Sequence, residues 1–360
     1  MIKTHDLRIR GFEPLPTPAE LRGRLPLGTE VEGLVTTSRR EVEAVLRGDD
    51  DRLLVVVGPC SVHDPEAALE YARRLVIEAE RHADRLLIVM RVYFEKPRTV
   101  AGWKGLINDP QLDGTHRVAE GLELARGVLR DITTLGLPVG CEFLEPISPH
   151  YIADAISWGA IGARTTESQV HRQLASGLSM PIGFKNGTDG EVSVAVDGVR
   201  SAAQHQTFFG IDDAGQTCVV STTGNEYGHV ILRGGRSGPN YDSASLAAAA
   251  ARLADAGLPA RVVVDASHAN SGKDHVRQAE VITELAGQIA AGDPISGVMI
   301  ESFLEPGRQT LTDAGRAGLV FGQSITDACL GWEQTETALD LLAFASARRS
   351  APATGAAVAT

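Results

Sequence analysis

LLVVVGPCSVHDP (Leu53–Pro65) contains the first continuous apolar run in this chain of 360 residues. Five apolar residues lead into Gly-Pro-Cys, and a polar loop then leads to a proline that suits the first turn of a helix. An uninterrupted apolar run of this kind is typical of a parallel strand covered on both faces. Cys60 therefore follows a buried strand, as either an inert core thiol or a group that binds a ligand.

Seven similar runs follow, separated by helical patterns. The eight predicted strands are 53–58, 86–92, 137–143, 159–164, 180–185, 229–235, 261–267 and 297–302. Apolar residues recur at helical spacing in 65–83, 191–205, 243–257 and 273–292. Eight strand–helix units favour a closed (β/α)8 TIM barrel over an open doubly wound sheet.

Three segments do not fit this repeat. Residues 1–34 are rich in proline and charge and predict an N-terminal arm ahead of a barrel at 35–346. Residues 347–360 are rich in small residues and predict a disordered tail. Residues 207–225 place an Asp-Ala-Gly turn between two β-like runs, which predicts a hairpin inserted before the sixth barrel strand.

Composition narrows the function classes. A formal net charge of −12 disfavours binding to nucleic acid or an anionic membrane, because both require a basic surface. No apolar run approaches the roughly 20 residues of a membrane span, and the first residues lack the apolar segment of a secretory signal. The four cysteines are too widely spaced to indicate a disulfide framework. We expect a cytoplasmic protein.

The predicted strand exits carry an excess of cations. In a barrel, all strands open their carboxyl ends on one face, where catalytic groups collect. Any one of these residues alone could be an ordinary surface residue, but together they would repel one another in a cleft unless the ligand is multiply anionic. We therefore predict substrates with phosphate and carboxylate groups. The six cations are Arg91, Lys96, Arg98, Arg164, Lys185 and Arg233.

Other exit residues form a candidate metal site. Cys60, His268 and Glu301 offer thiolate, imidazole and carboxylate ligands, and Asp327 in SITDACLGWE completes a set. Mixed sulfur, nitrogen and oxygen ligands suit Mn²⁺, Fe²⁺, Co²⁺ or Zn²⁺ rather than Mg²⁺ or Ca²⁺. No short spacing such as CxxC accompanies them, and His268 alone could be a hydrogen-bonded structural histidine.

Several long strings resemble one enzyme family. GPCSVHDPEAALEYA, MRVYFEKPRTVAGWKGLINDP, DASHANSGKD and SITDACLGWEQTE are similar to segments of the type I 3-deoxy-D-arabino-heptulosonate 7-phosphate (DAHP) synthases. The resemblance covers about residues 35–345. It implies a metal-dependent (β/α)8 barrel that condenses phosphoenolpyruvate with erythrose 4-phosphate and water to DAHP and phosphate, the first step of the shikimate pathway.

The resemblance also implies residue roles. It gives Cys60, His268, Glu301 and Asp327 as the metal ligands. It gives Arg91, Lys96, Arg164, Lys185 and Arg233 as the phosphoenolpyruvate site, and Lys96, Pro97, Arg98 and Thr99 as the erythrose 4-phosphate site. Lys96 is the predicted proton donor to the new alkoxide, with a pKa lowered by neighbouring cations. Glu142 is predicted to orient the water.

The arm and hairpin are extras that barrel chemistry does not need. In the resembling family they build a site for an aromatic amino-acid effector and contribute to subunit contacts, which implies a homodimer or homotetramer. The implied effector residues are Leu174, Leu178, Ser179, Phe208 and Gly210. Gly210 resembles the tyrosine-sensitive branch, although it could simply serve the hairpin backbone.

Two other functions remain open at this point. One is a related 3-deoxy-octulosonate 8-phosphate synthase that uses arabinose 5-phosphate, which the KPRT string and the long arm disfavour. The other is a non-catalytic barrel that senses an aromatic amino acid, which the four intact ligand candidates disfavour.

Overall fold

A closed barrel of eight parallel strands forms the centre of the computed structural model, which describes residues 4–98, 102–312 and 315–349. An antiparallel hairpin of two further strands lies between the fifth and sixth barrel strands. The barrel strands are β1 (Leu53–Gly58), β2 (Leu86–Arg91), β3 (Val139–Glu142), β4 (Trp158–Ile161), β5 (Ile182–Lys185), β8 (His229–Leu232), β9 (Val262–Asp265) and β10 (Gly297–Glu301); the hairpin is β6 (Thr207–Ile211) and β7 (Thr217–Ser221).

The predicted TIM barrel and inserted hairpin are confirmed. Strand β1 closes the barrel by pairing with both β2 and β10, with Val55 opposite Ile88 on one side and Val298 on the other. Every barrel strand is buried along its whole length. Alternate residues explain this burial: Leu54 packs inside the barrel, whereas its neighbour Leu53 packs in the outer core.

Helices cover the outer face of the barrel, and the four predicted helical segments are confirmed. The first helix after β1 begins where its sequence predicts, because the Asp64 carboxylate accepts hydrogen bonds from the backbone N–H groups of Glu66 and Ala67. The outer helices are α3 (Pro65–Arg81), α4 (Val118–Thr134), α5 (Pro149–Ile152), α6 (Gln169–Gly177), α7 (Ser193–Ala202), α8 (Ser243–Asp255), α9 (His275–Ala291) and α10 (Trp332–Ala347).

The N-terminal segment is more regular than its composition suggests. It forms two helices, α1 (Pro18–Arg24) and α2 (Thr29–Arg47), here called the first and second arm helices. The second crosses the predicted arm boundary at residue 34, so a continuous helix joins arm and barrel. Its side chains Val42, Val45 and Leu46 belong to the same apolar cluster as Leu54 and Val56 of β1, and they close one end of the barrel interior.

The hairpin contacts the first arm helix. At the hairpin tip, the Asp213 carbonyl accepts a hydrogen bond from Ala19 N at 3.0 Å. The Asp213 carboxylate also lies 2.6 Å from the Arg22 guanidinium. The N-terminal arm and the inserted hairpin are therefore packed against each other on one side of the barrel. The predicted tail begins at the last residue of α10, and its residues 350–360 lie outside the described residues.

One glycine sets the exit of β1. A Cβ on Gly58 would lie 2.5 Å from the carbonyl oxygen of Arg91 on β2. Glycine is therefore required for the two strand ends to approach closely, and this places Cys60, two residues later, over the barrel.

Among the described helices, none is long and apolar enough to cross a membrane.

The closure of the barrel interior by the second arm helix can be tested by shortening one of its side chains. We expect Leu46→Ala to lower the free energy of unfolding by about 2–5 kcal/mol, because it leaves a cavity against the barrel interior. Urea titration followed by circular dichroism measures the change. The exposed Thr37→Ala on the same helix is the control, with a change of less than about 0.5 kcal/mol. Equal losses in both variants would show that the helix end does not act as a plug.

Candidate active site

A cavity of about 120 Å³ opens at the carboxyl ends of the barrel strands. Its walls are polar and carry most of the predicted cations. Its floor is built from strand-end residues that are themselves buried. The lining residues are Lys96, Pro97, Arg98, Glu142, Gly162, Ala163, Arg164, Lys185, Thr188, Arg233, His268, Lys273, Thr326 and Asp327.

The predicted metal ligands meet at this cavity. Cys60 Sγ and carboxylate oxygens of Glu301 and Asp327 lie within 4.8 Å of one another. His268 borders this group, with its Nε2 3.7 Å from Glu301 Oε1. The four residues come from the exits of β1, β9 and β10 and from the loop that follows β10. We call them the ligand cluster.

Cys60 is fully buried and lies beside an ammonium group. Lys96 Nζ is 3.1 Å from Cys60 Sγ and 3.1 Å from the Cys60 carbonyl oxygen. Burial and the nearby Glu301 raise the pKa of the Cys60 thiol, although Lys96 opposes this. Because a thiolate ligand needs a cation to stabilise it here, the sulfur fits a divalent metal of the transition series.

His268 is oriented by a buried carboxylate. Its Nδ1 lies 2.8 Å from Asp265 Oδ2, which leaves Nε2 on the side of Glu301. Burial lowers the pKa of His268 despite the Asp265 charge, which favours the neutral imidazole that metals bind. Asp265 is also 3.0 Å from Lys185 Nζ. Burial opposes the Asp265 charge, but His268 and Lys185 hold the pKa of this carboxyl well below its usual value.

Glu301 is held from two sides. Its carboxylate accepts a hydrogen bond from Arg91 at 2.9 Å, and its backbone N–H and C=O pair with the Gln278 side chain at 2.9 and 2.8 Å. Arg91 is fully buried, packs 3.6 Å from the Tyr93 ring centroid and does not line the cavity. The structure thus places this predicted phosphoenolpyruvate residue beneath the cluster, against a metal-ligand candidate.

Asp327 reaches the cluster from an irregular loop. The preceding Thr326 hydroxyl hydrogen bonds with the Ser61 hydroxyl at 2.8 Å, which ties this loop to the one that carries Cys60. Burial opposes the Asp327 charge, but Lys96, Lys273 and His268 lower the pKa of its carboxyl to about 2. Asp327 is therefore ionised at neutral pH and ready to bind a cation.

The other predicted phosphoenolpyruvate residues line the cavity: Lys96, Arg164, Lys185 and Arg233. The Nε of Arg233 is buried and has no hydrogen-bond partner within the described part of the chain. Burial lowers the pKa of Arg233, which Asp265 partly offsets. A buried guanidinium with a free donor needs an acceptor, and a phosphate or carboxylate oxygen supplies one.

The predicted direction of the Lys96 pKa is wrong. Burial and Arg91 do lower it, but the anionic forms of Cys60 and Glu301 outweigh them and raise the pKa of Lys96. The sequence showed the neighbouring cations without showing that the ammonium lies against the thiol. Lys96 is therefore protonated at neutral pH and is a weaker acid than a free lysine, although an alkoxide is basic enough to accept a hydrogen bond or the proton from it.

The described part of the KPRT string lies at the cavity mouth. Pro97 and Arg98 line the cavity, and Arg98 Nε donates to the Trp103 carbonyl at 2.8 Å. Thr99, the fourth predicted erythrose 4-phosphate residue, lies outside the described residues. Glu142 also lines the cavity. A Cβ on Gly162 would overlap the Glu142 carboxylate, so this glycine makes room for it.

A second cavity, of about 360 Å³, lies between the arm, the hairpin and α5–α6. Four of the five predicted effector residues line it: Leu174, Leu178, Ser179 and Phe208. Gly210 does not line it; a Cβ there would approach Val220 in the paired strand, which agrees with a role in the hairpin backbone. We call this space the effector cavity.

Sequence reasoning missed several lining residues. Lys273 lies in the quoted string DASHANSGKD but was given no role. Arg22 and Arg39 of the arm helices line the effector cavity, where they place positive charge that suits a carboxylate. Arg22 lies in the segment predicted as an arm, and Arg39 lies just beyond its predicted end at residue 34; a linear sequence does not reveal the contacts of either side chain.

Comparisons with known proteins agree with this geometry. The DAHP synthetase I family model matches residues 32–340. A phospho-2-dehydro-3-deoxyheptonate aldolase of Corynebacterium glutamicum is 57% identical over 346 residues, covering 94% of this chain and 93% of the relative. One from Enterobacter agglomerans, named Trp-sensitive, is 53% identical over 350 residues, covering 97% of this chain and 100% of the relative.

A solved structure extends the comparison to the fold. The phospho-2-dehydro-3-deoxyheptonate aldolase of Francisella tularensis SCHU S4 superposes with a TM-score of 0.93 at 48% sequence identity. The match covers 95% of this chain and 100% of that one. The chain belongs to the DAHP synthetase I family.

Proposed function

We propose that this chain condenses phosphoenolpyruvate with erythrose 4-phosphate and water, giving DAHP and phosphate, in the cavity at the strand exits. One observation carries the proposal: a cluster of sulfur, nitrogen and oxygen ligands borders the same cavity as six cationic side chains. Relatives with this activity in their names support it over an octulosonate synthase. The intact ligand cluster supports it over a non-catalytic sensor.

The ligand cluster would hold the divalent metal that the family implies. Cys60, His268, Glu301 and Asp327 present donors that suit Mn²⁺, Fe²⁺, Co²⁺ or Zn²⁺. When bound, such an ion supplies Lewis acidity toward the aldehyde oxygen of erythrose 4-phosphate.

The protein's own groups would bind and orient the substrates. Arg164, Lys185 and Arg233 would hold phosphoenolpyruvate so that its C3 faces the aldehyde carbon, and Arg98 would bind the phosphate of the aldose together with Thr99. As the C2=C3 electron pair forms the bond from C3 to that carbon, Lys96 would give a proton to the aldehyde oxygen, and C2 becomes electron-poor. Glu142 would orient the water that adds to C2, and the proton which this water loses replaces the one that Lys96 gave. Cleavage of the bond between C2 and the phosphate oxygen then releases phosphate and leaves a ketone at C2.

The effector cavity would bind an aromatic amino acid. Its apolar wall suits the ring, and Arg22 and Arg39 suit the carboxylate. The names of several relatives specify tryptophan, so we propose tryptophan as the effector in place of the tyrosine expected from Gly210.

A homodimer or homotetramer in the cytoplasm remains part of this proposal. The arm supports self-association because Leu7 and Phe12 are 70% and 78% exposed, which is costly for large apolar side chains in a monomer.

Removing the thiol tests the metal site. After equilibration with Mn²⁺ and dialysis, we expect the metal content of Cys60→Ala to be lower than that of the wild type by about tenfold or more, because one ligand of the cluster is lost. Metal content is measured by mass spectrometry and turnover by phosphate release. Cys218→Ala, a change on the hairpin, is the control. Wild-type metal content and activity in Cys60→Ala would overturn the proposed site.

Replacing Arg98, at the mouth of the cavity, tests whether its side chain binds only erythrose 4-phosphate. We expect Arg98→Ala to raise the KM for erythrose 4-phosphate by about 10- to 100-fold, because a charge-assisted hydrogen bond is lost. The KM for phosphoenolpyruvate should change little. Initial rates with each substrate varied in turn measure both constants, and an equal rise in both would contradict the assigned role of Arg98.

The effector cavity is tested by a pair of adjacent changes. We expect Phe208→Ala to require at least about tenfold more tryptophan for half-inhibition, because an apolar wall of the cavity is lost. Phe209→Ala is the matched control, since this neighbour is 95% exposed on the other face of the hairpin. Inhibition curves with tryptophan, tyrosine and phenylalanine identify the effector. Identical tryptophan curves for both variants would exclude this cavity.

A further inference from the structure

Each member of the ligand cluster has a charged partner. Three of these partners are the residues already described, of which Asp265 and Arg91 are fully buried and Lys96 is half-buried. The three pairs are Cys60–Lys96, His268–Asp265 and Glu301–Arg91. The fourth ligand candidate, Asp327, is paired with Lys273, a residue to which neither the sequence strings nor the proposed mechanism gives a role.

Lys273 contacts both oxygens of the Asp327 carboxylate. The distances from Lys273 Nζ to Oδ1 and Oδ2 are 3.1 and 3.4 Å. Within residues 4–98, 102–312 and 315–349, no other side chain donates a hydrogen bond to this carboxylate. The Thr326–Ser61 hydrogen bond anchors the loop but leaves the side-chain rotamer of Asp327 free. Lys273 is therefore the group that fixes the direction of this carboxylate.

The backbone of Lys273 is tied to a second member of the cluster. Its N–H donates to the His268 carbonyl at 2.6 Å. His268 and Lys273 both have left-handed backbones, with φ values of 55° and 65°. For residues other than glycine this costs on the order of 1 kcal/mol each, and such strain is commonly kept where function requires it. Lys273 thus links His268 after β9 to Asp327 after β10.

We propose that Lys273 is a positioning residue that holds Asp327 in the direction required for metal binding. This role rests on the proposed metal site. Ligand carboxylates in metal sites are themselves hydrogen-bonded, and loss of such a partner typically lowers metal affinity by about 10- to 100-fold.

The positive charge of Lys273 acts against its proposed role. An ammonium group near a divalent ion repels it, so removing Lys273 could instead strengthen binding. The Lys273 side chain is 56% exposed, whereas Asp327 is 24% exposed, so solvent screens the ammonium more than the carboxylate. When Lys273 is replaced, the Asp327 carboxylate loses the side-chain donor that orients it. We expect this loss to weaken metal binding more than the removal of the ammonium charge strengthens it.

The test measures Mn²⁺ affinity rather than turnover. Metal-stripped protein is titrated with Mn²⁺ against a chromophoric chelator, for the wild type, Lys273→Met, Lys273→Arg and Lys104→Met. We expect about tenfold weaker binding in Lys273→Met and recovery of most of the affinity in Lys273→Arg, which keeps a cationic donor. Lys104→Met should bind like the wild type, because it removes a charge near the mouth without touching Asp327.

Cys60→Ala in the same series separates the two proposals. If Lys273→Met binds Mn²⁺ as tightly as the wild type, or more tightly, while Cys60→Ala binds weakly, the positioning role is overturned and the metal site stands. If Cys60→Ala binds like the wild type, the metal site itself is overturned and the Lys273 role with it. All variants keep a non-glycine residue at position 273, so they share the same backbone strain.

Discussion

Charge compensation in a buried space is the constraint on which this site depends. Asp265 and Glu301 are almost fully buried, and an isolated buried carboxylate would protonate or destabilise the fold. Lys185 and Arg91 lie within 3.0 Å of them and keep both ions paired. These pairs in turn orient His268 and the Glu301 carboxylate. The charges that stabilise the buried carboxylates therefore also orient the candidate metal ligands.

The barrel makes this compensation possible. Parallel strands end at one rim, so residues far apart in the sequence supply opposite charges to the same volume. Arg91 and Glu301 are separated by 210 positions yet form a 2.9 Å contact because β2 and β10 both flank β1. At the opposite end, the second arm helix fills the barrel interior with Val42, Val45 and Leu46. The interior is thus apolar toward the arm and ionic toward the cavity.

A buried hydrogen bond lies between the two cavities. The Ser148 hydroxyl donates to Glu95 Oε2 at 2.9 Å. Ser148 directly precedes Pro149 and His150, which line the effector cavity, and Glu95 directly precedes Lys96 in the active-site cavity. Burial raises the pKa of Glu95 to about 7, against the opposing effect of the Ser148 hydrogen bond. This hydrogen bond therefore joins the segment that precedes Pro149 to the segment that precedes Lys96.

The barrel, the hairpin and the candidate metal ligands were all predictable from the sequence. Continuous apolar runs and helical periodicity are local properties, and strand exits in a barrel share one face by topology. The sequence did not determine the sign of the Lys96 pKa shift, the burial of Arg91 beneath the cluster, or the positions of Lys273, Arg22 and Arg39 at the two cavities. Those depend on distances of a few ångströms between residues remote in the chain, and electrostatic energies change strongly over such distances in a low dielectric. Only the tertiary structure places these groups.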